Sequence, residues 1–241
     1  MITDKVKFYG GLGMLVIFMV LLLIMFSPVF HGRNALEYAD ELYNSISKDS
    51  AYYIPDIKKE SAEFNGVSIS VILEMEEEER AYQTALLYQE SGAEVTTSGT
   101  ELEISGDLGG ILQTCLDDTD AMYHNNGEAI QEKYGYDERW VLYNWWESLE
   151  AIDQELNDQG LFVEAKAVAK VMERAVEPAY NYYGIEAERM SDRIGVVLFS
   201  LVVYVVYTVW YGFGLMFLLE GWGIKIRQMY PFRFVGRIKL I

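Results

Sequence analysis

The sequence holds one cysteine, Cys115, two histidines, His31 and His124, and four prolines among 241 residues. A single thiol excludes an intrachain disulfide framework, so the fold must be held by packing. Two histidines fall short of metal-ligand patterns such as H-E-x-x-H, and no cysteine pair accompanies them. The sequence also lacks G-x-G-x-x-G, a Walker loop, a C-x-x-C-H haem attachment and a G-x-S-x-G nucleophile turn. Positive charge is scarce: 19 Lys and Arg stand against 37 Asp and Glu, a net charge of −18. This argues against a nucleic-acid partner, because phosphate binding needs a basic patch. Together these absences lead to the expectation of no cofactor, no metal site and no catalytic residue, hence a non-enzymatic protein.

What the sequence does have is length without charge. Ile194–Leu219 is 26 residues with no charged side chain, bounded by Arg193 and Glu220. As a helix it reaches ~39 Å, against a hydrocarbon core of ~30 Å. Leu12–Phe26 is a second unbroken apolar run, widened to residues 8–30 by aromatics and glycines. A cleaved signal peptide is the alternative for this first run. Its exit, Ser27-Pro28-Val29-Phe30-His31, lacks the small residues that cleavage needs, so an uncleaved anchor is expected.

Charge is distributed unevenly around these anchors. The segment His31–Arg193 carries 35 acidic and 12 basic residues, a net of −23. The end of the chain carries Lys225, Arg227, Arg233, Arg237 and Lys239. Basic residues beside membrane helices stay in the cytoplasm. Both termini are therefore expected to be cytoplasmic, and residues 31–193 extracytoplasmic, on a plasma (inner) membrane.

Between the anchors, Asn34 and Glu37 form a capping-box pattern ahead of an amphipathic helix over Asn34–Lys48. Pro55 and the polar run to Gly66 read as a linker. Val67, Ile69, Val71 and Leu73 alternate with polar residues, which predicts a strand with one buried face. A helix follows over Glu76–Glu90, closed by Gly92. Two short strands joined at Ser98-Gly99 come next, then a helix capped by Asp107. The apolar face of that helix is Leu108, Ile111, Leu112, Cys115, Thr119 and Met122.

The order strand, helix, strand, strand, helix over Val67–Tyr123 resembles the small ring-building domains of secretion and flagellar basal-body rings. The resemblance covers about a quarter of the chain and consists of element order alone. The layout of two membrane helices around an outer domain is likewise similar to that of polysaccharide chain-length regulators, without their proline-rich approach to the second anchor.

From Asp137 the pattern is helical. Val141, Trp145, Leu149, Ile152 and Leu156 mark one face, and Leu161, Ala165, Val168, Met172, Ala175 and Ala179 mark the next. Asn157–Gly160 between them gives an antiparallel hairpin. Its second arm is expected to kink at Pro178 and to run as a stalk towards the second anchor. The expected fold is thus an α+β membrane protein. Its segments are residues 1–7 (cytoplasmic), 8–30 (first membrane helix), 31–66 (helix and linker) and 67–127 (three-stranded α/β unit). Residues 128–193 (hairpin and stalk), 194–219 (second membrane helix) and 220–241 (basic interfacial tail) complete it.

Four groups of residues stand out. Ser200, Tyr204, Tyr207, Thr208 and Tyr211 share a face of the second anchor, where hydroxyls in hydrocarbon want partners. The first anchor offers no polar side chain between Leu12 and Phe26, only close approach at Gly10, Gly11 and Gly13, so another copy or another subunit is the expected partner. Trp140 and Trp146 fall off the buried stripe of their helix and are candidate docking residues. Asp117, Asp118, Asp120 and His124, and the run Glu74, Glu76–Glu79, could in principle hold a cation, but helix-terminal solvation explains both. The function expected is that of an accessory or scaffold subunit of a membrane complex, or a homo-oligomer. The alternative is a solute- or cation-responsive regulator that couples the outer domain to the second membrane helix.

Overall fold

The computed structural model describes residues 2–29 and 32–224 and divides into two compact units. The basic tail expected over 220–241 lies, from Lys225 onward, outside the described residues, as does His31. Among the described residues the chain is mostly helical, with one small antiparallel sheet and two helices long and apolar enough to cross a membrane.

The first unit comprises Met1–Asp40 and Ser191–Ile241. Its helices are α1 (Lys5–Met25) and α10 (Met190–Gly221). Both are apolar around their whole circumference, so neither has the polar face that a helix in water needs. They pair antiparallel through glycines. A Cβ at Gly11 would lie 2.7 Å from Gly214 O and would overlap Leu218 N. One at Gly221 would lie 2.7 Å from the Cβ of Phe8. Small residues let two backbones meet at these points. Gly10 and Gly13, the other two glycines expected to make the approach, have nothing within 4 Å of a Cβ. At the same end of the pair, Lys7 Nζ bonds Glu220 Oε2 at 2.8 Å, and the amides of Thr3 and Asp4 donate to Gly221 O. Further along, Trp210 Nε1 donates to Met14 O at 3.0 Å.

The second unit is Glu41–Met190. Helix α2 (Ala35–Ser50) leads into it. Its cap is the predicted box: Asn34 Oδ1 accepts from Leu36 N and Glu37 N, and Glu37 Oε2 accepts from Asn34 N. The stretch expected as a linker is a helix, α3 (Ile54–Ser61), followed by one 3₁₀ turn. Ile54 and Ile57 are buried on one face, and Pro55 sits in the first turn, where its missing N–H costs nothing.

Strand β1 (Ser68–Glu74), helix α4 (Glu78–Glu90), strands β2 (Glu94–Ser98) and β3 (Glu101–Asp107) and helix α5 (Leu108–Tyr123) follow in the predicted order. The sheet order is β1-β3-β2, all antiparallel, with Ile72 opposite Glu103 and Glu103 opposite Thr96. Ile69, Val71, Leu73, Leu102 and Ile104 point into the core, while Ser70, Glu74, Glu101 and Glu103 face solvent. Asp107 caps α5 by accepting from Gly109 N. A short helix the sequence did not announce, α6 (Gly127–Tyr134), restarts at once, because Asn125 takes a left-handed turn at φ 60°.

Helices α7 (Glu138–Asp158) and α8 (Phe162–Val171) form the predicted hairpin, with Asp137 capping α7. Every residue of the predicted α7 stripe is fully buried. The second arm is not a stalk: Ala165, Val168, Val171, Ala175 and Ala179 lie in the core of this unit. A π turn over Met172–Val176, with Glu177 N bonded to Met172 O, precedes α9 (Glu177–Tyr182). It absorbs the donor that Pro178 lacks one turn early. Helicity then stops at Gly184, φ 84°, and resumes only at Met190.

Candidate functional site

An open groove of about 900 Å³ lies between the start of α4 and the first turns of α7. It exists because α4 begins with a run of carboxylates and α7 turns its off-stripe aromatics towards them. Glu76, Glu77 and Glu79 from the start of α4, Trp140 and Tyr143 from α7, Tyr180 of α9 and the α7 cap Asp137 line it. Arg80 lies on the floor. Its guanidinium carbon is 4.6 Å from the Tyr143 ring centre and 5.1 Å from that of Trp140, and its Nη1 pairs with Glu147 at 3.2 Å and Glu76 at 3.3 Å. Glu147 Oε2 is buried beside this pair without a donor, and burial pushes its carboxyl above the usual range against the pull of Arg80.

Of the two tryptophans singled out from sequence, only Trp140 belongs here; it is 50% exposed. Trp146 is half-buried, packs against the core and donates Nε1–H to Glu177 Oε1 at 3.0 Å, away from the groove lining. Arg80 and Tyr143, which sequence reasoning missed, complete the shelf. The signal was present: Glu76 and Arg80 are four apart, and Trp140 and Tyr143 three apart, on their helices.

The acidic group on α5 is taken apart by the fold. Asp118 faces inward, 2% exposed, and accepts from Lys133 Nζ at 2.8 Å, Tyr134 Oη at 2.5 Å and Trp145 Nε1 at 3.0 Å. Asp117 and Asp120 face the other way and share Lys58, at 2.9 and 3.1 Å. Asp120 also accepts from Tyr52 Oη and meets His124 Nδ1 at 3.3 Å. Every one of these carboxylates thus has a protein partner. Among the described residues no cluster of three or more His, Cys, Asp or Glu is placed to hold a metal. Cys115 is fully buried, and burial drives its thiol well above the ordinary value, which suits a packing residue and not a nucleophile.

A second polar node sits where α2 meets the segment after α9. Lys48, 2% exposed, donates to Asn125 Oδ1 at 3.0 Å, Tyr182 O at 3.1 Å and Ile185 O at 2.6 Å. Asn125 also accepts from Gly184 N and donates to Ile185 O, and Tyr123 Oη donates to Lys48 O. Glu188 N bonds Ser45 O at 3.1 Å. The strand of chain that leads to α10 is thereby tied to α2.

The hydroxyl face of α10 divides. Tyr207 stacks on Phe18 of α1, ring centres 4.3 Å apart, and Tyr211 lies over the same ring at 4.9 Å. Ser200 and Thr208 bond backbone carbonyls of their own helix, Val197 O and Tyr204 O, while Tyr204 is 67% exposed. The rings of Tyr207 and Tyr211 thus pack on α1, while the buried Tyr207 hydroxyl has no hydrogen-bond partner among the described residues. Comparison of the chain with family profiles, with curated proteins and with solved structures finds no match.

Proposed function

We propose that this is a two-pass membrane protein that serves, without catalysis of its own, as an accessory or scaffold subunit, docking other proteins through its acidic domain. In this reading both termini are cytoplasmic and residues 31–193 lie across a plasma membrane, as the basic tail favours. The observation that carries the docking role is the groove with Trp140 half-exposed over it: exposed aromatics flanked by polar groups are the residues that anchor interfaces. The antiparallel α1/α10 pair and the exposed Tyr204 support membrane residence and leave a face for a neighbouring helix. The test is the native mass of the protein extracted in mild detergent. The expected result is a complex with further subunits or several copies; a monomer at every concentration counts against the proposal.

A second reading, a regulator that couples its domain to the second membrane helix, is favoured by one observation. The Lys48–Asn125 node holds the chain immediately before α10, so release of that node would change how α10 is tethered. Ligand-dependent loss of hydrogen-exchange protection at Gly184 and Glu188 would select this reading over the first.

A further inference from the structure

We propose that the groove between α4 and α7 takes an arginine side chain presented on an extended segment of a partner protein; this rests on the docking role proposed above and names the chemistry of the partner. The groove is acidic. Its carboxylates are Glu76, Glu77, Glu79 and Asp137, and of its own two guanidiniums Arg80 is consumed by Glu76 and Glu147 while Arg139 lies over the Tyr183 ring at 5.2 Å. Glu76 is shared with Arg80, Glu79 accepts from Gln83, and Asp137 accepts from the Arg139 and Trp140 amides, yet the lining still sets four carboxylates against two guanidiniums, so an occupant that brings positive charge and N–H groups complements it. The floor shows which cation suits the walls: Arg80 is already held between two aromatic faces and a carboxylate, the surroundings that favour a planar, weakly hydrated guanidinium over an ammonium. Trp140 and Tyr180, 50% and 41% exposed, offer further aromatic surface of the same kind. The groove is open to solvent and not an enclosed cavity, which fits a stretch of chain better than a buried small molecule.

The test uses the full-length chain in uncharged detergent and labelled Gly/Ser peptides bearing either four arginines or four lysines, followed by fluorescence anisotropy. The arginine peptide is expected to bind, the lysine peptide several-fold more weakly. Trp140→Ala, which leaves net charge untouched, is expected to weaken arginine-peptide binding about tenfold, the equivalent of ~1.4 kcal/mol. Glu76→Gln with Glu79→Gln should weaken it comparably, which keeps the test valid if Trp140→Ala folds poorly. Glu101→Gln with Glu103→Gln removes the same charge from the solvent face of the sheet and should change binding less than about twofold, since those side chains are outside the groove. Absence of binding overturns the proposal. So does an unchanged affinity in the groove variants, or an equal loss in the sheet variant, which would reduce the effect to overall acidity. The native mass in detergent is read separately: a complex that ignores the arginine peptide removes this inference alone, and a peptide-binding monomer removes the assembly role alone.

Discussion

Removing the Asp118 carboxylate should destabilise the second unit more than removing either of the other two carboxylates on α5, Asp117 and Asp120. Asp118→Ala deletes one acceptor and strands three donors from α6 and α7: Lys133 Nζ, Tyr134 Oη and Trp145 Nε1. Trp145 is fully buried and Tyr134 is 8% exposed, so neither finds water in place of the lost oxygen. A stranded buried donor costs ~1–3 kcal/mol, and taking one partner from a buried ion pair costs ~3–5 kcal/mol. Lys133 softens the loss, because it is partly exposed and has Glu90 within 3.8 Å. The expected cost is about 3–5 kcal/mol, which for a unit of this size lowers the melting temperature by roughly 6–20 °C. Asp118→Asn keeps the shape and one acceptor and should cost about half as much. Its neighbour Asp117, 57% exposed and paired only with Lys58 and Gln113, should cost under about 1 kcal/mol as Asp117→Ala. Urea unfolding followed by tryptophan emission measures all three. An Asp118→Ala loss within about 1 kcal/mol of that of Asp117→Ala would refute the reasoning.

Four further outcomes follow from the same contacts. Burial raises Tyr52, Tyr123 and Tyr136 to about 12, and Tyr88 and Tyr134 further still. The unfolded chain gives up these protons from about pH 10 while the folded chain keeps them, so their stabilisation is complete below pH 10 and lost above it. Phenolate absorbance should therefore rise together with unfolding, and Tyr134→Phe should shift that midpoint. Gly11→Leu should force α1 and α10 apart at a cost of ~1–3 kcal/mol in detergent, whereas Gly10→Leu and Gly13→Leu, which face open space, should leave the melting temperature nearly unchanged. Lys48→Met should speed hydrogen exchange of the Gly184 and Glu188 amides at least tenfold, or ~1.4 kcal/mol, without unfolding the core. Trp146→Phe should cost no more than about 1.5 kcal/mol, the single hydrogen bond to Glu177, and leave arginine-peptide binding unchanged.

The regular elements were legible because their patterns are unambiguous. The β1 alternation, the α7 stripe and the caps at Asn34, Asp107 and Asp137 all correspond to local rules that tertiary structure did not override. Helix α3 was hidden because Pro55 reads as a breaker, although in a first turn it is tolerated. The second arm of the hairpin reads as a stalk because small residues such as Ala165, Ala175 and Ala179 carry little hydrophobic signal, yet they are what allows close packing in the core. Sites were harder still. Nothing local to Asp118 distinguishes it from Asp117, one residue away; only the positions of Lys133, Tyr134 and Trp145 make it the buried one. Lys48 and Asn125 lie 77 residues apart, and no periodicity links them.

The Lys7–Glu220 pair has a consequence for how the helix pair acquires direction. Together with Asp4 and Lys5 it makes that end of α1 and α10 electrically neutral. Counting cations alone, Lys5 and Lys7 are outnumbered by Arg33, Arg189 and Arg193 beside the opposite helix ends. The hairpin by itself therefore carries a bias against the proposed orientation, and the five basic residues from Lys225 to Lys239 must supply the vote that reverses it. If the proposed orientation holds, a chain shortened to Ile224 is expected to insert the other way up, which protease protection in sealed cells would report.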